Sequence, residues 1–518
     1  MSMRDEESFQ LRQEKLSRIR ARGIDPYPPR FRRTHTTQEA TAAFAEWEKA
    51  GSTGEPPTVI VAGRMTASRD MGKATFVDVR DGSGRLQVYL KSDILGERVY
   101  AALRDLDLGD FLGVTGPLFR TRSGEVTVEA RDFQLLAKSL QPLPEKWHGL
   151  VDTETRYRQR YLDLIANEES RDLFALRSSI IAAIRRFMVD RGFMEVETPV
   201  FMPEAGGAAA NPFVTHHQAL DRDLYLRIAM ELHLKRLIIG GYDKVFEIGR
   251  IFRNEGISTR HNPEFTMMES YEAYADYLDV MSMVEELVSW VAMETVGTMR
   301  IPSPEGEIDL TPPWRRLTVR DALKEYAEID LENYRRDEAG LRAVIRSKGI
   351  EVDSDAGWAK LVDELLSACV EPKLIQPTFM MDYPAALSPL AKRKPDNPDL
   401  VERFEPFAAG LELGNAYSEL NDPIDQRQRF QEQARRRAAG EQEVEMLDED
   451  FLLALEHGMP PCGGLGVGID RLVMVLSGRR SIREVILFPQ MRDIVAKIGD
   501  KLGASDDAQT KLKPTEPE

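Results

Sequence analysis

The sequence predicts an α+β protein with more than one domain, and three observations carry that reading. Five short strand-like runs separated by turns fall between Thr58 and Leu136. Apolar residues then recur at helical spacing from Arg171 to Val189: Leu173, Phe174, Leu176, Ile180, Ile181, Ala183, Ile184, Phe187 and Met188. Beyond that helix, strand-rich sequence continues through residue 271 and resumes near Thr378. Strands grouped at one end and mixed with helices further on are the α+β pattern. A chain of 518 residues is also too long for a single core.

Residues from about 4 to 50 read as helical and exposed, with a break at Asp25-Pro26-Tyr27-Pro28-Pro29. Gly51-Ser52-Thr53-Gly54-Glu55-Pro56-Pro57 has the composition of a linker, so residues 1–55 form an N-terminal extension. The five runs begin at Val59, Ala74, Arg85, Phe111 and Val126, and Asp81-Gly82-Ser83-Gly84 fits a hairpin turn. With a helix-like stretch near Ser92 to Leu106, they match the five-stranded, partly open barrel that binds oligonucleotides, assigned to 56–140. A barrel with a purely structural role is the alternative. Pro142 and Pro144 mark a second linker, 141–170. The larger domain is assigned to 171–500, with a mostly helical insertion at about 276–370. Within it, Gly192 ends the first helix, Phe193 to Val200 reads as a strand closed at Pro199, and Gly463 to Leu476 reads as a Gly-rich turn entering a helix. The polar tail, 501–518, is expected to be disordered.

Composition excludes several classes. A net charge of −17 argues against wholesale nucleic-acid binding, although the first 33 residues carry nine basic side chains against five acids. Cys369 and Cys462, the only cysteines, cannot build a thiolate zinc site, and so low a count argues against a disulfide framework. No run approaches the roughly 20 apolar residues of a membrane span. Met1 to Glu7 is polar and acidic, unlike a secretory signal. These features point to a reduced, cytoplasmic setting with no membrane partner.

The chemistry concentrates in three places. Phe252-Arg253-Asn254-Glu255-Gly256 through His261-Asn262-Pro263 is a turn rich in charge between two strand-like runs. After it, Phe265, Met267, Glu269 and Tyr271 share one face of an extended strand. A carboxylate among apolar neighbours usually holds something charged. Secondly, if Ala408 and Ala409 form a two-residue turn, Glu405 and Glu412 lie directly opposite, and a hard divalent cation with phosphate oxygens would relieve their repulsion. Asn415, Tyr417 and Glu419 follow at every second position, and Glu231 succeeds the near-apolar run Tyr225 to Met230. Buried acids without counter-ions cost several kcal/mol each, roughly, and a dication would compensate them. Thirdly, Gly463-Gly464-Leu465-Gly466-Val467-Gly468-Ile469-Asp470-Arg471 allows close backbone approach to a nucleotide, with Arg471 placed to meet a purine or phosphate. Its spacing is neither the dinucleotide fingerprint nor a P-loop.

These three elements, in this order, resemble the signature motifs of class II aminoacyl-tRNA synthetases. The helix and strand ending at Pro199 resemble the first motif, Phe252 to Glu269 the second, and Gly466 to Arg471 the third. The barrel is similar to that of the subclass charging lysine, aspartate or asparagine. Arg156-Tyr157-Arg158-Gln159-Arg160-Tyr161-Leu162-Asp163-Leu164, Arg260 to Glu269 and Asn415 to Asp422 resemble bacterial-type lysyl-tRNA synthetases. The resemblance spans about residues 10–495 and implies an antiparallel catalytic sheet flanked by helices. It implies that Arg253 binds the ATP α-phosphate and the amino-acid carboxylate, with Glu255 and His261 on adenine or the outer phosphates. Phe265 would stack under adenine and Arg471 above it, with Arg253 and Arg471 as the catalytic cations. Glu405 and Glu412 would hold Mg2+ (up to three ions). Lysine would be held by Glu231 near its α-amino group and by Glu269, Tyr271 and Glu419 near its ε-amino group, beside Asn415 and Gly207. Phe76 and Gln87, with Arg69, resemble anticodon readers, by stacking and by hydrogen bonding. The implied activity is lysine–tRNA ligation: ATP and L-lysine give lysyl-adenylate and pyrophosphate, then lysyl passes to the 3′ end of tRNA(Lys), in a homodimer. Two positions depart from the family's pattern: Met230 stands where proline is frequent, and His233 where tyrosine is common.

Overall fold

The computed structural model describes residues 3–144, 150–204, 206–208, 210–335, 337–353, 356–438 and 447–493. The tail expected to be disordered, 501–518, lies outside them. Two compact units separate: residues up to 151 together with 161–166, and residues 152–160 together with 167 onward.

The first unit opens with helices Met3–Ala21 and Thr37–Lys49. The second helix starts at a capping box: Thr36 accepts from the Glu39 backbone N–H, and the Glu39 carboxylate accepts from the Thr36 N–H. Six strands follow: β1 (Thr58–Asp70), β2 (Ala74–Arg80), β3 (Arg85–Lys91), β4 (Phe111–Arg120), β5 (Val126–Glu129) and β6 (Asp132–Ala137). The order β1-β2-β3-β5-β4 closes on itself through β1–β4 pairing, which makes the five-stranded barrel. Alternate residues point inward, so Val59, Val61 and Met65 of β1 meet Val77, Val79, Leu86 and Val88 in one core. The sixth strand, β6, is absent from the sequence reading. It pairs only with β4, outside the closed ring.

The second unit is built on a nine-stranded sheet. Its early strands are β7 (Met194–Glu195), β8 (Phe201–Met202), β9 (Val214–His217), β10 (Arg222–Leu226), β11 (Lys244–Phe252) and β12 (Glu264–Ala273). Then come β13 (Arg300–Ser303), β14 (Gly306–Asp309), β15 (Arg315–Thr318), β16 (Thr378–Met381), β17 (Arg403–Ala408), β18 (Leu411–Glu412), β19 (Gly414–Ser418) and β20 (Cys462–Gly468). The main sheet runs β15-β16-β17-β19-β20-β12-β11-β7, with β18 paired to β17. Only the β7–β11 and β15–β16 pairs within it are parallel. Strands β8 to β10 form a separate small sheet, as do β13 and β14.

One face of the main sheet is covered by helices Glu168–Asp190, Tyr277–Thr295 and Ile469–Ser477, whose apolar sides share a core with Phe246, Met268, Phe404, Ala416, Leu465 and Val467. The stretch read as an insertion therefore supplies helix Tyr277–Thr295 and strand β15 to the main body. Its later helices, Val319–Ala327, Glu338–Ser347 and Trp358–Cys369, pack in a second apolar cluster with Met380 and Phe407.

Two segments differ from the sequence reading. From Phe193 to Val200 only Met194–Glu195 pairs as strand. Further along, the Thr198 N–H and hydroxyl both donate to the Glu247 carboxylate, which takes the chain out of the ladder. The Gly-rich run read as a turn is the central strand β20, between β12 and β19. Glycine is rare in strands unless another group approaches closely, and that is the situation here.

Candidate active site

The opposite face of the main sheet is the floor of a cavity of about 980 Å3. The period of two decides which side chains reach it. On β12, Phe265, Met267, Glu269 and Tyr271 line the cavity while Met268 joins the helix-covered core. On β17, Arg403 and Glu405 line it while Phe404 does not. On β19 and just beyond, Asn415, Tyr417 and Glu419 alternate with Ala416 in the same way. On β20, Gly464, Gly466 and Gly468 alternate with Leu465 and Val467. Every cavity residue picked out from the sequence lines this one space: Gly207, Glu231, Arg253, Glu255, His261, Phe265, Glu269, Tyr271, Glu405, Glu412, Asn415, Glu419 and Arg471.

At one end, the turn after β11 places cations. The Arg253 N–H donates to Pro263 O at 2.8 Å, closing the loop, and its guanidinium sits 5.2 Å from the Phe265 ring centroid. The loop tip is fixed by Ser258, which accepts from the His261 N–H at 3.0 Å. Arg471 lies in the first turn of the helix after β20 and donates to Glu412 Oε2 at 3.0 Å and Glu412 O at 2.9 Å. Asp470 beside it is buried, accepts from Arg177 at 2.6 Å and from the Thr266 N–H at 2.7 Å, and so ties helix Glu168–Asp190 and β12 to the base of Arg471. Burial, then the nearby Arg471 charge, lowers the His261 pKa, which keeps its imidazole neutral at pH 7.

The pair Glu405 and Glu412 needs a correction. The turn residues are Ala409 and Gly410, both at positive φ (57° and 68°), not Ala408 and Ala409. Glycine takes that conformation at little cost, which moves the turn one residue on. Glu412 then faces Phe407, and Glu405 is its diagonal neighbour. A two-residue shift in register keeps the same face, so both acids still reach the cavity. Glu405 accepts from Tyr383 and Arg403, the latter at 2.5 Å. Burial, reinforced by Glu412 and Glu371 against the pull of Arg403, pushes the Glu405 pKa up to about 7. Two hard carboxylates that repel each other suit a divalent cation. Among the described residues no group of three or more His, Cys, Asp or Glu could hold a metal unaided, so phosphate oxygens would have to complete the shell, as magnesium usually requires.

At the other end the acids close in. Glu231 opens helix Glu231–Ile239, an element absent from the sequence reading. Its Oε2 accepts from Tyr417 at 2.7 Å. Glu269 is 3% exposed, accepts from the Met230 N–H at 2.9 Å and from the Tyr271 hydroxyl at 3.3 Å. Burial raises its pKa to about 7, the Met230 hydrogen bond opposing and the Glu231 charge adding. Glu419 is 1% exposed, and burial pushes its carboxyl well up, with Glu231 and Glu269 adding and Lys235 pulling it back. Gly464 makes the space: a Cβ there would overlap Glu419 Oε1 and lie 2.7 Å from Tyr271 Cε1. Three side chains that contact these acids escaped the sequence reading. Lys235 contacts both Glu231 and Glu419. Arg403 donates to Asn415 at 2.9 Å as well as to Glu405. Tyr383 donates to Glu405. The signals were Lys235 one helical turn after Glu231 and Arg403 two residues before Glu405.

On the barrel, Phe76 is half-buried and opposite Tyr89 in the β2–β3 register, with ring centroids 4.8 Å apart; Tyr89 meets Phe119 edge-on at 6.0 Å. Exposed Arg69 is the register partner of Phe76 on β1. Gln87 is buried, its amide donating to Glu125 at 3.0 Å and accepting from the Thr127 hydroxyl at 2.9 Å. The sequence reading had no place for Glu125.

Comparison with known proteins agrees with this geometry. Residues 152–492 match the model of tRNA synthetases class II (D, K and N), and residues 59–136 match the OB-fold nucleic acid binding domain. The chain is 59% identical to the lysine–tRNA ligase of Dehalococcoides mccartyi (strain ATCC BAA-2266 / KCTC 15142 / 195) over 93% of this chain and 96% of that one. It is 56% identical to the lysine–tRNA ligase of Moorella thermoacetica, over 93% and 97%, and 53% identical to that of Pelotomaculum thermopropionicum, over 94% and 95%. A catalytic sheet carrying all three motifs, a five-stranded barrel and relatives matched along nearly their whole length make this chain a member of the class II tRNA synthetases of the D, K and N group.

Proposed function

We infer that the chain is a lysine–tRNA ligase that activates lysine with ATP and transfers the lysyl group to the 3′ end of tRNA(Lys). The observation that carries the substrate assignment is the trio Glu231, Glu269 and Glu419, buried or nearly so at one end of the cavity. An aspartate or asparagine pocket has no use for three carboxylates. A guest with an α- and an ε-ammonium group does. Glu231, next to Gly207, takes the α-ammonium; Glu419, Glu269 and Tyr271 take the ε-ammonium. Asn415 and Arg253 orient the carboxylate.

The geometry accounts for the first step without a side-chain nucleophile. The lysine carboxylate attacks the α-phosphorus in line and pyrophosphate leaves. Arg253 and Arg471 flank that position and neutralise charge as it spreads onto the phosphoryl oxygens. Phe265 offers the adenine a ring face, and neutral His261 with Glu255 contacts adenine or the outer phosphates. Glu405 and Glu412 would hold Mg2+, which supplies charge neutralisation on the phosphates. On the barrel, Phe76, Arg69 and Gln87 read the anticodon, the rings by stacking and the polar groups through base edges. Exposed Val200, Phe201 and Val214 near the first motif support a homodimer through that surface, and among the described residues no helix is long and apolar enough to cross a membrane, which is compatible with work in the cytoplasm. The test is amino-acid-dependent ATP–pyrophosphate exchange run across all amino acids. Exchange is expected with lysine alone. Exchange with aspartate or asparagine, and none with lysine, overturns the assignment.

A further inference from the structure

Behind the acids at one end of the cavity lies a buried cation. Lys235 is fully buried, with its Nζ 2.5 Å from Glu231 Oε1 and in contact with Glu419 Oε2. The Tyr417 and Phe451 rings flank it at 5.6 and 5.9 Å. Burial works against this charge, but Glu231 and Glu419 outweigh it and raise the Lys235 pKa, so the ammonium persists at all ordinary pH. Three carboxylates and one resident ammonium leave two negative charges for a guest, which is the charge of a lysine's two ammonium groups. The second observation is on Glu419. Both of its oxygens are buried without a hydrogen-bond partner in the protein; Oε2 makes the ion contact with Lys235, and Oε1 points at the gap that Gly464 leaves beside Tyr271. A buried acceptor left open is costly unless something arrives to use it.

Building on the lysine reading above, we propose that Lys235 is a positioning residue for the substrate. It supplies the third positive charge that balances Glu231, Glu269 and Glu419 around a bound lysine. By holding Glu419 through Oε2 it also leaves Oε1 turned toward the ε-ammonium. Bridging Glu231 and Glu419, it fixes the separation of the carboxylates that meet the two ends of the guest.

The groups facing this pair are Glu231 on its own helix, Glu419 and Tyr417 on and beyond β19, Glu269 and Tyr271 on β12, and Cys462 on β20. Tyr271, Tyr417 and Cys462 are all raised by burial and stay protonated from pH 6 to 9. Removing the Lys235 charge therefore leaves the carboxylates to titrate. The test is Lys235→Met in pyrophosphate exchange, with wild type in parallel. The lysine KM is expected to rise about 30-fold or more, the ATP KM to stay within about threefold, and the variant's lysine KM to fall as pH rises from 6.5 to 8.5 more steeply than in wild type. On a Glu419→Gln background the same substitution is expected to raise the lysine KM no more than about tenfold, because one of its two carboxylate partners is gone while Glu231 remains. An unchanged lysine KM in K235M, or lysine and ATP constants that rise together, overturns the proposal. If K235M fails to fold, the K235M/E419Q protein decides by the same background criterion. Failure of that double variant to fold while E419Q folds shows an independent structural role and also overturns it. Absence of lysine-dependent exchange in wild type is a different result, and refutes the substrate assignment itself.

Discussion

Met230 shows how much one backbone group decides. Its N–H donates to Glu269 Oε1 at 2.9 Å, inside a pocket where Glu269 has been raised to about 7 by burial. Proline, frequent here in the resembled family, has no N–H to give. At pH 7 a carboxyl with that pKa is about half protonated, and a cationic guest favours the ionised form. Lysine binding to wild type at pH 7 is therefore expected to release about half a proton at this site, measured by calorimetry in buffers of different ionisation enthalpy. Affinity should strengthen as pH rises through 7. In Met230→Pro the donor is lost, the pKa climbs further, and proton release at pH 7 should approach one. Equal release by both proteins would remove Met230 from the control of Glu269. The sign for folding is opposite: a carboxyl raised from 4.5 in the unfolded chain to about 7 contributes stability below about 4.5 that is lost as pH rises to about 7.

At the scale of elements, β20 carries the pocket's shape by what it lacks. Gly464 faces Glu419 and Tyr271 with no room for a methyl, whereas a Cβ at Gly468 would meet nothing nearer than 3.7 Å. Gly464→Ala is expected to lower kcat/KM for lysine about 100-fold and to cost about 1–3 kcal/mol of stability by overpacking. Gly468→Ala should change thermal unfolding by less than about 1 kcal/mol. Exchange kinetics and thermal melts on the two variants check this; equal lysine kinetics in G464A and wild type would sink it. The same strand marks where sequence reasoning stopped. Period-two patterns were legible, so the cavity-facing sets on β12 and β19 were found from spacing alone. A glycine run carries no such pattern and reads as a turn until its neighbours across the sheet are known. Lys235 was hidden for a related reason: the apolar run ending at Met230 gave no sign that a helix begins at Glu231. Glu405 and Glu412 were found in spite of a misplaced turn, because an error of two residues preserves the face.

For the whole molecule the consequence is a separation of tasks between two compact units. Adenylate chemistry needs only the cavity on the main sheet. On the proposed function, anticodon reading falls to the barrel, where Phe76, Tyr89 and Phe119 make an aromatic surface beside Arg69. Phe76 pays little of the core's stability, since β2 buries Val77 and Val79 inward and leaves the phenyl ring half-exposed. Phe76→Ala is thus expected to leave the barrel folded. Base–aromatic stacking contributes about 1–3 kcal/mol per base, so kcat/KM for tRNA in aminoacylation should fall by about 5- to 150-fold. Lysine-dependent pyrophosphate exchange without tRNA should stay within about twofold, because nothing in the cavity has changed. Both assays on one preparation separate the outcomes: a parallel loss of exchange and charging means that Phe76 supports the fold or the catalytic unit, and an unchanged charging rate means that this ring does not meet the tRNA.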